Sequence, residues 1–527
     1  MLLTDDLLLN FKRCERRAFL NLFGDRREKS SEKDFLMKLR KENQLQIDAY
    51  LGQRPYSQPQ SEDWETRAQE TEALMAQGVE CIYKGVLLHH FDHWDGTDIE
   101  QLTLVGKPTV LLRQAGESRW GKWHYRSVSV KLGQKPKPEY KLTSMLYSFL
   151  LEHIQGRSPR LTQLILRSRR PHKVDMELWS EKLKGTITDC IRVLSKPTEP
   201  EVFISRQRCH LCAWYNHCYG VAQADQHLSL VPGVTPNRYE SLQGMGIDSI
   251  ESLANTAPKH LGQHLGADVA IQLQQQARAI VQKEVVWRVN RPNKVQLMPK
   301  GDVELFFDIE AEPDRNVDYL LGVYFVDHRN QVEKFYAFVA ETLEEEEKIW
   351  HEFVAFVQQF PQAPIFHFSP YERDTLNRLG RKYGTPPSDL QKIVGRLMDV
   401  HQWVTKYLIF PVESYSLKSL ANALGYRWYE AGVSGDQTVC WYDTWLETGD
   451  RQLLDAIIRY NEDDCRATHH LKQWITEFID SRKNVALLSW SPLVLATNFC
   501  ALRMDYVLFL KLFAKAYDLV KSTNKEC

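Results

Sequence analysis

The stretch Val303-Glu-Leu-Phe-Phe-Asp-Ile-Glu310 decides the fold class of the C-terminal half of this 527-residue chain. Its apolar run predicts a buried β-strand, and two carboxylates stand at its end. Asp308 and Glu310 are two residues apart, so both side chains project from one face of a strand. Like charges on one face repel unless a cation lies between them, and Mg²⁺ and Mn²⁺ prefer oxygen ligands. The stretch therefore predicts a strand that carries part of a divalent-metal site.

The residues that follow predict strands first and then an alternation of helices and strands. The patterns indicate strands over 318–327, 333–339 and 364–368, a helix over 342–360 and a late helix over 450–479. This order predicts an α/β fold with a mixed sheet.

Two further acidic motifs follow in this region. In Tyr460-Asn-Glu-Asp-Asp464, Tyr460 and Asp464 are four residues apart and share one helix face. In His367-Phe-Ser-Pro-Tyr371-Glu372, Glu372 comes just after a predicted strand, where sites gather in α/β folds. Each motif alone is a weak signal, since an isolated Asp-x-Glu is usually only solvated. Their combination and order favour a functional site.

This order of motifs resembles the DEDD exonuclease superfamily, tyrosine subtype, and most closely the ribonuclease-H-like domain of the YprB type. The resemblance covers about residues 303–480 and includes a Ser-Leu-Lys helix, Ser416–Gly425. It implies a 3'-5' exonuclease that hydrolyses phosphodiester bonds of DNA or RNA with two Mg²⁺ or Mn²⁺ ions. The implied metal ligands are Asp308, Glu310, Glu372 and Asp464, and Tyr460 would orient the attacking water.

One motif departs from that family. The usual pattern is Asn-x-x-x-(Phe/Tyr)-Asp, whereas this chain has His367 and Glu372 at the two polar positions. Asp374 is a possible substitute for the expected Asp. Asp463, next to the implied ligand Asp464, is a weaker candidate because it points elsewhere on a helix.

A cysteine cluster lies in the N-terminal half. Cys209, Cys212 and Cys218 fall within ten residues, and Cys14 is a fourth thiol far upstream. Ten cysteines in the chain are too few for a disulfide scaffold, so the cluster predicts metal binding over structural buried cysteines. Four thiolates bind an iron–sulphur cluster or Zn²⁺. Zn²⁺ held by cysteine together with His210 and His217 is the alternative.

The cysteine spacing, with the stretch Leu9–Leu20 around Cys14, resembles iron–sulphur nucleases of the RecB-like PD-(D/E)XK superfamily, such as the AddB type. The resemblance covers about residues 1–222 and implies a 4Fe-4S cluster that joins the two ends of an α/β domain. The catalytic motifs do not match, since Thr109, Ser129 and Thr143 replace the expected residues and only Lys131 remains. We therefore predict that this nuclease site is inactive.

Two basic stretches in this domain suggest nucleic-acid binding. Residues 118–141 contain seven Lys or Arg and one acid, and residues 155–173 contain six and no acid. Interleaved aromatic residues are candidates for stacking on bases, namely Trp120, Trp123, Tyr125 and Tyr140. A solvated basic face explains the charges equally well.

The segment between the two halves looks helical and contains glycine pairs. Leu242–Ala254, with Gly244 and Gly246, resembles a helix-hairpin-helix element, and Pro232-Gly233 opens a similar one. Its expected role is non-specific binding of a nucleic-acid backbone. The predicted domains are the PD-(D/E)XK-like domain (1–222), the helix-hairpin-helix module and linker (223–300), the ribonuclease-H-like domain (301–484) and a tail of unknown role (485–527), in which residues 501–519 suggest an amphipathic helix.

Bulk properties fit a cytoplasmic protein that binds nucleic acid and no membrane. The formal net charge of −1 excludes a uniformly basic binder, and no segment has the pattern of a signal peptide or of a membrane span. Protein partners cannot be predicted. Two alternatives to the exonuclease remain: a non-catalytic nucleic-acid-binding scaffold built on both nuclease folds, and an active RecB-like nuclease with relocated carboxylates.

Overall fold

The computed structural model describes residues 1–159, 162–167, 170–292 and 294–488, with side chains up to Ser481. Nearly all of the predicted tail, including its predicted helix over 501–519, lies outside these residues. The chain forms two compact units. The first consists of Met1–Lys283 with Ser434–Thr444, and the second of Glu284–Val433 with the residues from Trp445 onward.

The first unit combines two sheets with many helices. Its strands are β1 (Leu2–Thr4), β2 (Cys81–Tyr83), β3 (Leu87–Phe91), β4 (Leu102–Gly106), β5 (Val110–Ser118), β6 (Gly121–Val130), β7 (Gln163–Ile165) and β8 (Pro171–Lys173). Its helices are α1 (Asp5–Arg13), α2 (Glu15–Phe23), α3 (Asp34–Leu51), α4 (Trp64–Ala76), α5 (Pro138–Gln155), α6 (Met176–Leu194), α7 (Arg206–Cys209), α8 (Tyr215–Ala224), α9 (Pro236–Gly244), α10 (Ile250–Asn255), α11 (Pro258–Leu265) and α12 (Ala267–Gln282).

The sheets of this unit have the orders β2-β5-β6-β7-β8 and β1-β4-β3. Helix α5 is apolar around most of its circumference, and it is correspondingly buried along most of its length. It begins with Pro138 in the first turn and ends at Gly156, whose φ of 69° is left-handed and suits glycine. Helices α9 to α12 share a separate apolar core with Leu228 and Val231.

The second unit has a main five-stranded sheet and a separate two-stranded sheet. Its strands are β9 (Val286–Trp287), β10 (Val303–Glu312), β11 (Val317–Asp327), β12 (Val332–Val339), β13 (Ile365–His367), β14 (Leu397–Asp399) and β15 (Leu408–Ile409). Its helices are α13 (Glu346–Gln358), α14 (Pro370–Lys382), α15 (Pro387–Val394), α16 (Val400–Tyr407), α17 (Leu417–Ala423) and α19 (Arg451–Leu488). Helix α18 (Gly435–Thr448) contains the junction at Thr444.

The main sheet has the order β12-β11-β10-β13-β14. Strand β10 pairs antiparallel with β11 and parallel with β13, so the predicted mixed α/β sheet is confirmed. The predicted elements occur in the expected order. The predicted helix over 342–360 is shorter than expected, because its acidic start at Leu343–Glu345 forms a 3₁₀ turn before α13 begins.

Strand β10 lies between two helices and is buried on both faces. Phe307 packs against Phe353 of α13, with ring centroids 4.8 Å apart. Phe306, on the opposite face, packs against His469 of α19 at 4.6 Å. Side chains alternate along a strand, so the even-numbered residues of β10, including Asp308, lie on the face that packs against α19.

Candidate metal centre

Three carboxylates meet between β10 and α19. Asp308 and Glu310 come from β10 and Asp464 from α19, and each contributes an oxygen that lies within 4.8 Å of the other two. We call these residues the carboxylate cluster. Glu310 is buried, whereas Asp308 and Asp464 are only partly covered. The strand register shifts between Glu310 and Ala311, and such β-bulges are frequent beside active sites.

The carboxylate cluster has an excess of negative charge. Burial raises the pKa of Asp308 well above its usual value, and the charges of Asp464, Glu310 and Glu372 raise it further. Burial also raises the pKa of Asp464, to about 7, although the nearby Lys418 ammonium lowers it. Oxygen ligands that repel one another in this way fit a hard divalent cation, so this donor set suits Mg²⁺ or Mn²⁺.

Tyr460 lies against the carboxylate cluster as its spacing predicted. Burial raises the pKa of its phenol, and the charges of Asp464, Glu310 and Asp308 raise it further, so the phenol stays neutral. Its hydroxyl donates a hydrogen bond to Asp464. The Lys418 ammonium lies 5.4 Å from the centre of the Tyr460 ring.

Glu372 lies near the carboxylate cluster without being one of its three members. Its side chain is 4% exposed and occupies the first turn of α14. One of its oxygens accepts a hydrogen bond of 2.9 Å from the Ser369 hydroxyl and lies 3.3 Å from Nδ1 of His367. The charge of Glu372 is among those that raise the pKa of Asp308, so Glu372 belongs to the electrostatic surroundings of the carboxylate cluster.

The two nearby candidate acids differ from the cluster in their surroundings. Asp374 is exposed on α14, so it is a poor substitute for the buried Glu372. Asp463 accepts hydrogen bonds of 2.9 Å from the Tyr426 hydroxyl and 2.8 Å from the backbone N–H of Tyr429. These contacts indicate that Asp463 anchors the segment 426–429.

Three residues of the site had been given no role from the sequence. The Trp428 indole donates a 2.8 Å hydrogen bond to Asp464, and the Asn461 amide donates one of the same length to Asp308. Gly322 of β11 is paired directly opposite Asp308 and leaves room for Asn461. Asn461 had a usable signal, because it lies three residues before Asp464 and shares its helix face. Trp428 and Gly322 had none, since their contacts come from tertiary structure.

The residues of the first unit that stand at the predicted nuclease positions lie among uncharged hydrogen bonds. The Thr109 hydroxyl accepts a 3.1 Å bond from the backbone of Val130, and the buried Ser129 hydroxyl bonds to that of Ser144 at 3.2 Å. Burial lowers the pKa of Lys131. A divalent cation needs anionic oxygen ligands, and neither Thr109 nor Ser129 supplies one.

Asp5 is a buried acid of the first unit and is the one to consider as a relocated carboxylate of an active RecB-like nuclease. One of its oxygens accepts a hydrogen bond of 2.6 Å from the Tyr147 hydroxyl and one of 2.9 Å from the backbone N–H of Lys107. Burial raises the pKa of Asp5, and the charge of Asp6 adds to the increase. These bonds join α1, the residue that follows β4, and α5, which is a sufficient structural role for Asp5.

The four predicted cysteine ligands are neighbours. Cys14 lies between α1 and α2, Cys209 ends α7 and Cys218 lies in α8. Burial raises the pKa of Cys14, and the charge of Cys212 raises it further. The pKa values of Cys209 and Cys218 are likewise raised by burial and by the charges of Cys14 and Cys212.

A zinc ion requires a short distance between the sulphur atoms of its thiolate ligands. Thiolates bound to one Zn²⁺ at 2.3 Å in a tetrahedron would have sulphurs about 3.8 Å apart. Among the described residues, no group of three ligand atoms within 4.8 Å of one another includes these cysteines. His217 contacts Glu28 and lies 3.6 Å from Glu199, and His210 is half-exposed.

Three of the four aromatic residues predicted to stack on bases in the stretch 118–141 are partly exposed, and one is buried. Tyr125 is fully buried, and its hydroxyl donates a hydrogen bond of 2.5 Å to the carbonyl oxygen of Val79. The prediction that Tyr125 stacks on bases is therefore wrong. Trp120, Trp123 and Tyr140 keep partial exposure, and the Arg119 guanidinium lies 4.8 Å from the Trp120 ring. Part of the second basic stretch, 155–173, lies outside the described residues.

Comparison with known proteins identifies the class of the second unit. Residues 305–476 match the family model of the RNase H superfamily, and this range contains the whole carboxylate cluster. No curated protein matches the chain. The C-terminal part is therefore an RNase-H-like domain, a fold of metal-dependent nucleases that implies a nucleic-acid substrate. In the described part of the chain, no helix has the length and apolar character needed to cross a membrane.

Proposed function

We propose that this protein is a metal-dependent 3'-5' exonuclease that hydrolyses DNA or RNA in its RNase-H-like domain. The observation that carries the proposal is the carboxylate cluster, whose three acids lie within 4.8 Å of one another on a fold of metal-dependent nucleases. Bringing acids this close together without a cation is costly, and the Lys418 ammonium offsets only part of the rise in the pKa of Asp464.

The proposed roles follow from these positions. Asp308, Glu310 and Asp464 would hold two Mg²⁺ or Mn²⁺ ions, and Glu372 would contribute to the second. When bound, the ions supply charge stabilisation at the attacking and leaving oxygens of the phosphodiester. The neutral Tyr460 hydroxyl orients the attacking water, because a phenol that keeps its proton can donate to one partner and accept from another.

The remaining regions are proposed to bind the substrate and stabilise the first unit. Residues 1–222 form an inactive PD-(D/E)XK-like domain, in which a 4Fe-4S cluster on Cys14, Cys209, Cys212 and Cys218 joins the two ends. Residues 223–300 serve as a helix-hairpin-helix module. Support comes from Gly246, an exposed residue with a φ of 74° at the turn between α9 and α10, where nothing lies within 4 Å of the position of a Cβ. The cytoplasm is the proposed location.

The clustered acids favour an enzyme over a non-catalytic scaffold. A scaffold derived from a nuclease needs no set of mutually repelling carboxylates, and it gains stability when one of them is replaced by a neutral residue. Here all three acids, the neutral Tyr460 and the buried Glu372 are present together. This arrangement is useful only where a cation binds.

Hydrolysis assays test the proposal directly. The purified full chain should shorten labelled single- or double-stranded DNA or RNA in Mg²⁺ or Mn²⁺, and a blocked 3' end should prevent it. Asp308→Asn should abolish hydrolysis. Asp374→Asn makes the same change of charge on an exposed carboxylate and should leave hydrolysis intact. Unchanged hydrolysis in Asp308→Asn would refute the proposal, and cleavage of a 3'-blocked strand would refute its exonuclease polarity.

A further inference from the structure

Asn461 makes an unusual pair of contacts behind the carboxylate cluster. Its side chain is fully buried, and its Nδ2 donates a 2.8 Å hydrogen bond to Oδ2 of Asp308. Its own Oδ1 is buried without a hydrogen-bond partner. A buried carbonyl oxygen that accepts no hydrogen bond loses its hydration and gains nothing in return. The fold therefore gives up stability to keep an amide at this position.

The strand opposite provides the space that Asn461 occupies. Gly322 pairs directly with Asp308, and a Cβ atom added to Gly322 would lie 1.6 Å from Oδ1 of Asn461. The φ of Gly322 is not in the left-handed region, so its backbone alone does not require glycine. The close approach of Asn461 is thus a sufficient reason for a glycine in the middle of a buried strand.

We infer that Asn461 is a positioning residue that holds the Asp308 carboxylate in the orientation needed to bind the catalytic cation. Gly322, which has no side chain, leaves the space that Asn461 occupies. The inference rests on the proposed function of the carboxylate cluster. The amide donor binds one oxygen of Asp308 and leaves the other for the ion. Trp428 makes the equivalent bond to one oxygen of Asp464, so both acids are oriented by a neutral N–H donor.

The first experiment separates positioning from folding. Asn461→Leu keeps the shape of the side chain but removes the donor and the unpaired acceptor. We expect Mn²⁺ affinity, measured by calorimetry with the metal alone, to fall about 10- to 100-fold. We also expect the Mn²⁺ concentration for half-maximal hydrolysis to rise, while the melting temperature of the metal-free protein stays the same or increases. Asn377→Leu, on α14, is the matched control, because Asn377 donates only to a backbone carbonyl one turn away.

The second experiment reaches the same amide through Gly322. Gly322→Ala should displace Asn461 and reduce Mn²⁺ affinity although every polar group is still present. In an Asn461→Ala background, Gly322→Ala should cause no further loss, because the added methyl group fills the vacated space. Independent losses that multiply in the double variant would overturn the inference.

The outcomes distinguish this inference from the proposed function. Wild-type protein that neither binds Mn²⁺ nor hydrolyses any substrate refutes the proposed function and, with it, the role of Asn461. Wild-type protein that does both, together with an Asn461→Leu variant whose Mn²⁺ affinity lies within twofold of wild type, refutes the inference alone. Lower affinity accompanied by a lower melting temperature in Asn461→Leu would indicate a structural role and would also overturn it.

Discussion

Replacing Asp308 with asparagine should stabilise the metal-free protein while it removes activity. The ligand oxygens of the carboxylate cluster lie within 4.8 Å of one another, and at that upper limit two carboxylates repel each other by about 3 kcal/mol for an effective dielectric constant of about 20. Asparagine removes this repulsion and still offers an oxygen to the Asn461 amide. The gain corresponds to an increase of about 6–12 °C in the melting temperature of a unit of this size.

The effect of pH gives this prediction a second, independent test. An acid whose pKa is raised on folding binds its proton more tightly in the folded state, so stability is greatest below the unfolded pKa and is lost as pH rises through the folded pKa. The pKa of Asp464 is raised from 3.8 to about 7. The pKa of Asp308 is raised as well, so the stabilisation by Asp308→Asn should be small near pH 4 and should grow as the pH rises through the pKa values of the two acids.

Thermal unfolding of both proteins between pH 4 and pH 8, with chelator and with excess Mn²⁺, measures these effects. Mn²⁺ should stabilise the wild type most at high pH, and it should stabilise Asp308→Asn little. Asp374→Asn is the control for a general change in charge. An Asp308→Asn variant that is less stable than the wild type without metal at pH 8 would refute the electrostatic reasoning, even if its hydrolysis were lost.

Three further predictions concern other parts of the molecule. Lys472→Met should destabilise the second unit by about 3–5 kcal/mol, because Lys472 and Glu304 form a buried ion pair of 2.6 Å; adding Glu304→Gln should recover much of the loss in denaturant titrations. Tyr460→Phe should lower kcat on the order of 100-fold with a smaller loss of Mn²⁺ affinity, because it also removes the hydrogen bond to Asp464, and an equal loss of affinity would contradict a role in orienting water. Cys14→Ser and Cys212→Ser should each lose bound iron by elemental analysis, whereas zinc in the wild type would show that the cluster assignment is wrong.

The fold of the second unit was predictable because its signals are local. The apolar run at 303–310 predicted the first strand, and the helical periodicity of later segments predicted helices. The order of elements along the chain agrees with these predictions. Burial was harder to predict than secondary structure. Tyr125 lies in a basic, aromatic stretch, yet the alternation of β6 turns it into the core beneath Val79. Charge composition cannot show which face of a strand a side chain occupies.

The acids of the candidate site were visible in the sequence because each lies at a readable position of a strand or helix. The groups that orient them were harder to find. Trp428 reaches Asp464 from a loop thirty-six residues away, and Gly322 meets Asn461 only because β11 pairs with β10 in one particular register. Such partners depend on tertiary contacts, for which one sequence gives no measure.

The departure at the middle motif also has a physical explanation that the sequence alone did not provide. Glu372 is one methylene longer than the expected aspartate, and a longer side chain needs additional support to hold its carboxylate in place. Ser369, which caps α14 with a φ of 146°, and His367, at 3.3 Å, both contact the same oxygen of Glu372. A strained backbone at a non-glycine residue persists only where surrounding contacts enforce it. His367 and Ser369 thus hold the same oxygen of Glu372 from two sides, which gives the longer acid a defined position.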